Sequence, residues 1–415
     1  MLAKAEIITI GDEILYGQTL DTNSHWMSGE LDSAGIGVIR KTSIGDEKEI
    51  ILTSLKEAEQ RADIILITGG LGPTNDDLTK PTLVEYFQTQ LVSHPEILKH
   101  IEKLFSRAGR EMSDLNIAQA DLPENCTPIP NQLGTAPGMW FEYGDKILIS
   151  MPGVPFEMKS MMTESILPML IERKVKDIIH HRMIRTIGIP ESKLAEIISE
   201  WENSLPEDIK LAYLPTMGTV KLRLTSKGSD LRQIKINLQE QIGKVLPLIE
   251  KYVYGFDDEE IEEAIGRLLK ERDYKLAVAE SCTGGFLSHK ITSVAGSSQW
   301  FNGGFVPYSN ELKNEQLKVS NEILQKDGAV SESVVLALAK NVKETFNADV
   351  GISISGIAGP GGGSEEKPVG TVWIGYADKH KVVAKKFQFT KSRSLNISYS
   401  TAAALNMIRI NLDKN

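Results

Sequence analysis

Asp63-Ile-Ile-Leu-Ile-Thr68, running directly into Gly69-Gly70-Leu71-Gly72-Pro73-Thr74-Asn75-Asp76-Asp77, is the stretch that decides how the N-terminal part of the chain folds. A short, continuous apolar run reads as a strand buried on both faces, and such strands belong to parallel sheets covered by helices. The three glycines behind it let backbone N–H groups approach an anion without Cβ hindrance. Thr68 and Thr74 add hydroxyls, and a helix expected near Asp77 points its positive end at the same place. The natural guest is phosphate. Asp76 and Asp77 could hold Mg²⁺ beside it, because hard cations take oxygen ligands and share them with substrate phosphates. An Asp pair after a Gly turn also serves as a helix cap with a solvated neighbour, and the residues alone leave both readings open.

Outward from this stretch, strand-like runs at Ala5–Ile10, Gly37–Ser43 and Lys146–Ser150 alternate with helical stretches near Ser24–Ala34 and Lys48–Arg61. That alternation predicts a doubly wound α/β domain. The loops Gly11-Asp12-Glu13, Gly45-Asp46 and Asn131–Gly138 then fall on the sheet edge where such folds bind ligands. A helix over Pro155–Ile171 and the charged run Glu172–Asp177 end this domain, assigned residues 1–175. Residues 176–255 read as β-α-β-β-α, a small α+β module. The third domain, 256–415, opens on the acidic run Asp257–Glu260. It continues as an α/β pattern with strands at Leu276–Ala279, Val350–Ile354, Gly370–Tyr376 and Val382–Phe389.

Composition narrows the function. The 415 residues are 41% hydrophobic and 25% charged, within the range of folded globular chains. Lys and Arg number 46 against 56 Asp and Glu, a net charge of −10, and aromatic residues are 6%. Nucleic-acid binding calls for concentrated positive charge and stacking rings, so it is not expected. Two cysteines and seven histidines without a His-x-x-x-His pair make no disulfide framework or zinc site. No apolar run reaches the roughly 20 residues that span a bilayer, and a cytoplasmic, unprocessed protein without membrane partners is expected.

In the third domain, Glu280-Ser281-Cys282-Thr283-Gly284-Gly285 stands between a strand and a helix. A nucleophile there would feel the positive helix end; a Ser or Thr there also serves as an N-cap. No histidine sits in a motif-like setting, which leaves Tyr308 or Lys313 of Tyr308-Ser-Asn-Glu-Leu-Lys313 as a base. The competing reading is a cap at Ser309 or Asn310 followed by a solvated Lys313. Five glycines within Ser353–Ser364 bring backbone close to a ligand, again with phosphate as the candidate.

These motifs resemble the CinA family along nearly the whole chain. Gly-Asp-Glu-Ile-Leu-x-Gly at 11–17, Asp21-Thr-Asn23, Thr-Gly-Gly-Leu-Gly-Pro-Thr at 68–74, Gly-Thr-Ala-Pro-Gly at 134–138 and Met-Pro-Gly-Val-Pro at 151–155 look like its molybdopterin-binding-type domain. The resemblance implies divalent-metal-dependent hydrolysis of ADP-ribose to AMP and ribose 5-phosphate. It assigns metal to Asp76, Asp77, Asp12 and Glu13, and substrate contacts to Asn23, Thr68, Gly69, Gly70, Gly72, Thr74, Gly134 and Thr135. The middle segment is similar to the family's KH-type module, but it lacks the Gly-x-x-Gly clamp and over residues 178–255 carries 11 Lys and Arg against 9 Asp and Glu, which favours a spacer or interface.

Glu-Ser-Cys-Thr-Gly-Gly, Tyr-Ser-Asn-x-x-Lys, Gly-Ala-Val-Ser at 328–331, Gly-Ile-Ala-Gly-Pro-Gly-Gly at 356–362 and Pro-Val-Gly-Thr-Val at 368–372 resemble the nicotinamide mononucleotide deamidase domain that ends CinA proteins. Here the resemblance implies that Ser281 attacks the carboxamide while Lys313 and Tyr308 move protons, with no metal. Thr283, Gly284, Ser355, Gly356, Gly359, Gly361 and Arg393 would hold substrate. The sequence departs from the pattern at Pro307, where Ser is usual, and at Ser355, where Thr is common. A homodimer is expected by analogy. Two alternatives stay open: an N-terminal domain that binds a pterin or nucleotide without turnover, and a competence- or damage-associated interaction protein.

Overall fold

The computed structural model describes residues 3–74, 76–107, 109–174 and 178–413. It divides into two compact units, Met1–His180 with Lys227–Ile234, and His181–Ser226 with Lys235–Asn415.

The first unit is built on a six-stranded sheet in the spatial order Gly37–Ile44, Lys4–Ile10, Ile64–Thr68, Lys146–Met151, Gly138–Tyr143 and Thr127–Ile129. The first four strands are parallel and the last two antiparallel. Every residue of Ile64–Thr68 is buried. Its alternate side chains enter two cores: Ile64 and Leu66 join Met27, Leu31 and Met158, and Ile65 and Ile67 join Leu55, Leu83 and Phe141. Two apolar faces on one strand require helices on both sides, so this is a doubly wound domain.

Parallel register brings Ile10, Ile44, Thr68 and Met151 to the same sheet edge. The helix expected near Asp77 begins at Thr79. Asp77 Oδ2 accepts from Thr74 N and Thr74 Oγ1, closing a turn of its own, and Thr79 N then donates to Gly70 O at 3.1 Å.

The KH-type part, most of which falls in the second unit, is a four-stranded sheet ordered Ile209–Thr216, Thr219–Gly228, Ile178–Ile187 and Val253–Phe256, with the helices Glu191–Asn203 and Leu231–Ile249. Val253–Phe256 adds an antiparallel strand to the expected β-α-β-β-α order. It also ties this module to the next: Tyr254 and Ile187 lie in the C-terminal core, and Arg409 donates to Lys251 O and Val253 O.

The C-terminal sheet runs Phe301–Phe305, Leu276–Glu280, Val350–Gly356, Thr371–Ala377 and Val382–Gln388, the first three parallel and the last two antiparallel. Glu280, Phe305 and Gly356 therefore end at one edge. Among the described residues no helix is long and apolar enough to cross a membrane.

Candidate active sites

Ser281 follows the strand Leu276–Glu280 and donates its N–H to Ile354 O on the neighbouring central strand at 2.9 Å. The helix beyond it starts only at Phe286, behind an N-cap of Gly285 at φ +97° that contributes no side-chain bond. Glu280 does the capping from inside the core. Its Oε2 accepts from Gly285 N and Leu287 N at 3.1 and 3.0 Å, and its Oε1 from Ser288 N and Ser288 Oγ at 2.8 and 2.6 Å. The expectation that the helix terminus would activate Ser281 is thereby corrected, because a buried carboxylate already matches that positive end. The N-cap alternative for Ser281, Cys282 and Thr283 also drops out.

The hydroxyl of Ser281 instead meets a lysine. Lys313 Nζ lies 3.3 Å from Ser281 Oγ, and Lys313 is 1% exposed. Ser309 caps the helix Asn310–Leu317 by accepting from Leu312 N, which fixes Lys313 one turn in and aims it back at the preceding loop. There Nζ donates to Pro307 O at 2.9 Å and Tyr308 O at 3.2 Å. The solvated-lysine reading is overturned, because these carbonyls fold back over the ammonium. Burial holds Lys313 below the ordinary lysine range, against smaller opposing effects of Cys282 and Glu311. Burial also pushes the Cys282 thiol up to about 12, so it supplies no thiolate near neutral pH.

Tyr308 stands elsewhere than expected. Its phenol is exposed and accepts from Arg393 Nη2 at 3.2 Å, while Arg393 Nη1 donates to Gly359 O at 2.9 Å. Lys313 meets the Tyr308 carbonyl, so the expected pairing of the lysine with the phenol is corrected. Ser355 Oγ donates to Ala329 O at 2.7 Å, tying the 328–331 loop to the Gly-rich strand end. At Gly356 a Cβ would lie 2.6 Å from Val372 Cγ2, so only glycine fits.

A cavity of about 220 Å³ joins Ser281, Tyr308, Lys313, Ser355, Gly356 and Arg393. Thr283, Gly284, Gly359 and Gly361 lie outside its lining. Thr283 is buried with an unpartnered Oγ1 among the described residues, and Gly359, at φ +89°, serves through its carbonyl. Asn310, read from the sequence as a possible helix cap, and Ala358, which was given no role there, also line the cavity. Pro307, the departure from the family pattern, uses the carbonyl that any residue would offer.

In the N-terminal domain a cavity of about 590 Å³ collects the loops at the sheet edge, with Glu13, Asn23, Asp46, Gly69, Gly70 and Thr135 in its wall. Gly69 (φ +117°) and Gly70 (φ +64°) are necessary there: a Cβ would lie 2.1 Å from Ile10 O and 2.3 Å from Thr79 Oγ1 respectively. Gly72, Asp76 and Asp77 complete the cradle.

The two expected hydroxyl donors are spent internally. Thr68 Oγ1 donates to Pro152 O at 2.8 Å and accepts from Asn23 Nδ2 at 3.2 Å, and Thr74 Oγ1 donates to Asp77. Gly134 lies outside this cavity, seated against Glu157, which accepts from Asn131 Nδ2 at 2.6 Å. The Asn23 amide donates to Gly153 O at 2.7 Å, and its Oδ1 is buried without a partner among the described residues.

Asp46 is the carboxylate that sequence reading passed over, although its loop was singled out. Burial raises its pKa, and the charges of Asp12, Glu13 and Asp77 raise it further against the Asp12 N–H it accepts. Asp76 is held below the usual carboxylate range by hydrogen bonding within its own loop. No group of three or more His, Cys, Asp or Glu among the described residues is arranged to hold a metal ion. The four expected ligands therefore do not form a chelate by themselves, and Asp77 commits one oxygen to its loop. An oxygen-only donor set in which the carboxylates repel one another still fits a hard cation whose remaining ligands come from substrate phosphate.

The chain matches three family models: the probable molybdopterin binding domain over residues 6–172, the damage-inducible protein CinA KH domain over 181–255, and the CinA C-terminal domain over 258–412. It is 52% identical over 405 residues to a CinA-like protein of Cytophaga hutchinsonii, covering 98% of this chain and 97% of the relative. The chain belongs to the CinA family. A CinA-like protein of Flavobacterium psychrophilum is 42% identical over 414 residues, covering 99% of both chains. Among solved structures, the CinA protein of Thermoplasma acidophilum is 32% identical, with a TM-score of 0.37, covering 39% of this chain and 95% of that one. The CinA architecture of a molybdopterin-binding-like domain, a KH domain and a C-terminal domain is thus present in full.

Proposed function

We propose that the C-terminal site of this CinA protein is a serine amidohydrolase that converts nicotinamide mononucleotide to nicotinate mononucleotide and ammonia. The observation that carries this reading is the buried Lys313 Nζ 3.3 Å from Ser281 Oγ, with its pKa lowered by burial. A neutral Lys313 takes the Ser281 proton as Oγ bonds to the carboxamide carbon. When the C–N bond breaks, Lys313 returns the proton to the departing nitrogen, which leaves as ammonia. Water then adds to the ester, giving its proton to Lys313, which passes it to Ser281 Oγ as the acyl C–O bond breaks, releasing nicotinate mononucleotide and restoring the serine hydroxyl and the neutral lysine. Arg393, with Tyr308 hydrogen-bonded to it, is assigned to the anionic end of the nucleotide, because a guanidinium matches phosphate geometry.

For the N-terminal domain the proposal is hydrolysis of ADP-ribose to AMP and ribose 5-phosphate. A divalent cation there would be held by substrate phosphate oxygens together with one or two of the carboxylates Asp12, Glu13, Asp46 and Asp76, and when bound it would supply neutralisation of charge on the phosphoryl oxygens. The residues' own part is to seat the phosphate against the Gly69–Gly72 backbone and keep the carboxylates at its side. The KH module is read as an interface: Arg182 pairs with Asp257 and Arg185 with Glu260, at 3.0 and 2.7 Å, and these basic groups are not offered to nucleic acid.

Each half is tested by its own product. Ammonia release from nicotinamide mononucleotide should persist in EDTA, whereas AMP release from ADP-ribose should need a divalent cation and fall in Asp46→Asn. EDTA-sensitive ammonia release would overturn the first assignment, and metal-independent AMP release the second.

A further inference from the structure

Between the KH module and the C-terminal domain lies a cavity of about 450 Å³, walled by the edge strand Val382–Gln388, the last helix Arg393–Asp413 and two turns of the KH module. It takes no part in either candidate active site. Small residues create its space: Ala384 on the strand, Ala402 and Ala403 on the helix, and Gly188 and Gly218 on the turns. Both glycines have φ of +79°, and a Cβ would lie 3.0 Å from Ala402 Cβ at Gly218 and 2.5 Å from Asn406 Nδ2 at Gly188.

One wall is aromatic. Phe387 and Phe389 stack with centroids 5.5 Å apart and planes 13° apart, and Phe389 stacks on Tyr399 at 5.7 Å and 20°. Lys385 is the only charged residue in the lining among the described residues, its Nζ 5.1 Å from the Phe387 centroid. The Asn406 amide oxygen is held by the Arg409 guanidinium, so the NH₂ is the end of this side chain left for other partners.

We infer that this cavity binds a planar aromatic anion. Phe389 lies between Phe387 and Tyr399 and Lys385 covers Phe387, so Tyr399 at the end of the stack is the ring for a flat guest to extend, one ammonium beside the stack answers one negative charge, and an amide NH₂ offers a donor to a ring or carboxylate acceptor. A concave, mainly apolar site with few polar groups at a module boundary has the general character of a small-molecule site. An alkyl chain would leave Lys385 and Asn406 unused. A polyanion would find a single cation.

The test uses the full-length protein with 8-anilinonaphthalene-1-sulfonate as the probe. Fluorescence titration should saturate at one site. Lys385→Gln, at an exposed edge position, should weaken binding roughly three- to fivefold, as expected for losing one partly exposed charge contact. Ala403→Phe, which fills the cavity, should abolish binding, with a melting curve as the check on folding. Hydrogen exchange with the probe bound should slow at residues 384–389 and 399–411. Absence of saturable binding, equal affinity in Lys385→Gln and wild type, or protection confined to other segments would overturn the inference.

Discussion

Replacing Lys313 separates its chemical role from its structural one. In Lys313→Met the methylenes remain and the amine goes. If the amine is the proton carrier for Ser281, its loss should lower deamidation by about 10²–10⁴, the usual worth of a positioned acid or base. At 1.36 kcal/mol per decade that is about 2.7–5.4 kcal/mol of barrier. Folding stability should move less. The carbonyls of Pro307 and Tyr308 lose a donor, at about 1–3 kcal/mol for a buried one. The removal of a desolvated ammonium, itself worth several kcal/mol, offsets that loss. Lys313→Arg keeps the charge yet cannot deprotonate, so it should be as inactive as the Met variant.

The pH profile carries the same signature. Because burial lowers the Lys313 pKa, the wild-type rate should rise with pH through a midpoint below the ordinary lysine range. The same shift makes the unfolded chain bind more protons over that interval, so this group's contribution to stability also rises with pH there. The assay is ammonia release from nicotinamide mononucleotide, with thermal unfolding measured in parallel. If Lys313→Met keeps more than about a tenth of wild-type activity while folded, Lys313 is not the base.

Glu280→Gln puts an NH₂ against backbone donors that now point at a carboxylate, so it should destabilise the protein by about 1–3 kcal/mol in denaturant unfolding; an unchanged midpoint would contradict the capping role. Gly69→Ala should abolish nucleotide binding at the N-terminal site, measured calorimetrically, while leaving ammonia release intact, because its Cβ would meet Ile10 O. Asp46 has a raised pKa and so holds part of a proton above the ordinary aspartate range; a bound cation favours the carboxylate, so Mg²⁺ binding should release protons. Titrations in buffers of different ionisation enthalpy would measure that release, and identical heats in all of them would refute it.

The doubly wound sheet was legible because Ile64–Ile67 is an unbroken apolar run with a glycine-rich loop directly behind it. The carboxyl-edge loops followed from strand order alone. What stayed hidden was which polar atoms are already taken. Thr68 and Thr74 read as free donors, yet the Thr68 hydroxyl is given to Pro152 O of another loop and that of Thr74 to Asp77 of its own. Glu280 read as part of a nucleophile motif, whereas its carboxylate caps a helix that starts six residues later. Lys313 could be placed on a helix from its spacing, but its burial depends on the 307–309 loop folding over it, a tertiary event with no periodicity to announce it. Asp46 was missed because one acidic residue in a loop has no local mark; its significance comes from Asp12, Glu13 and Asp77 arriving from other segments.

The central claim, a serine amidohydrolase served by a buried lysine, is tested most directly by comparing nicotinate mononucleotide and ammonia production from nicotinamide mononucleotide in wild type and Ser281→Ala. Stoichiometric products from the wild type, and a loss of at least about 10³-fold in the folded variant, are expected when the nucleophile is removed. Comparable turnover by both proteins, or none by folded wild type, would contradict the claim.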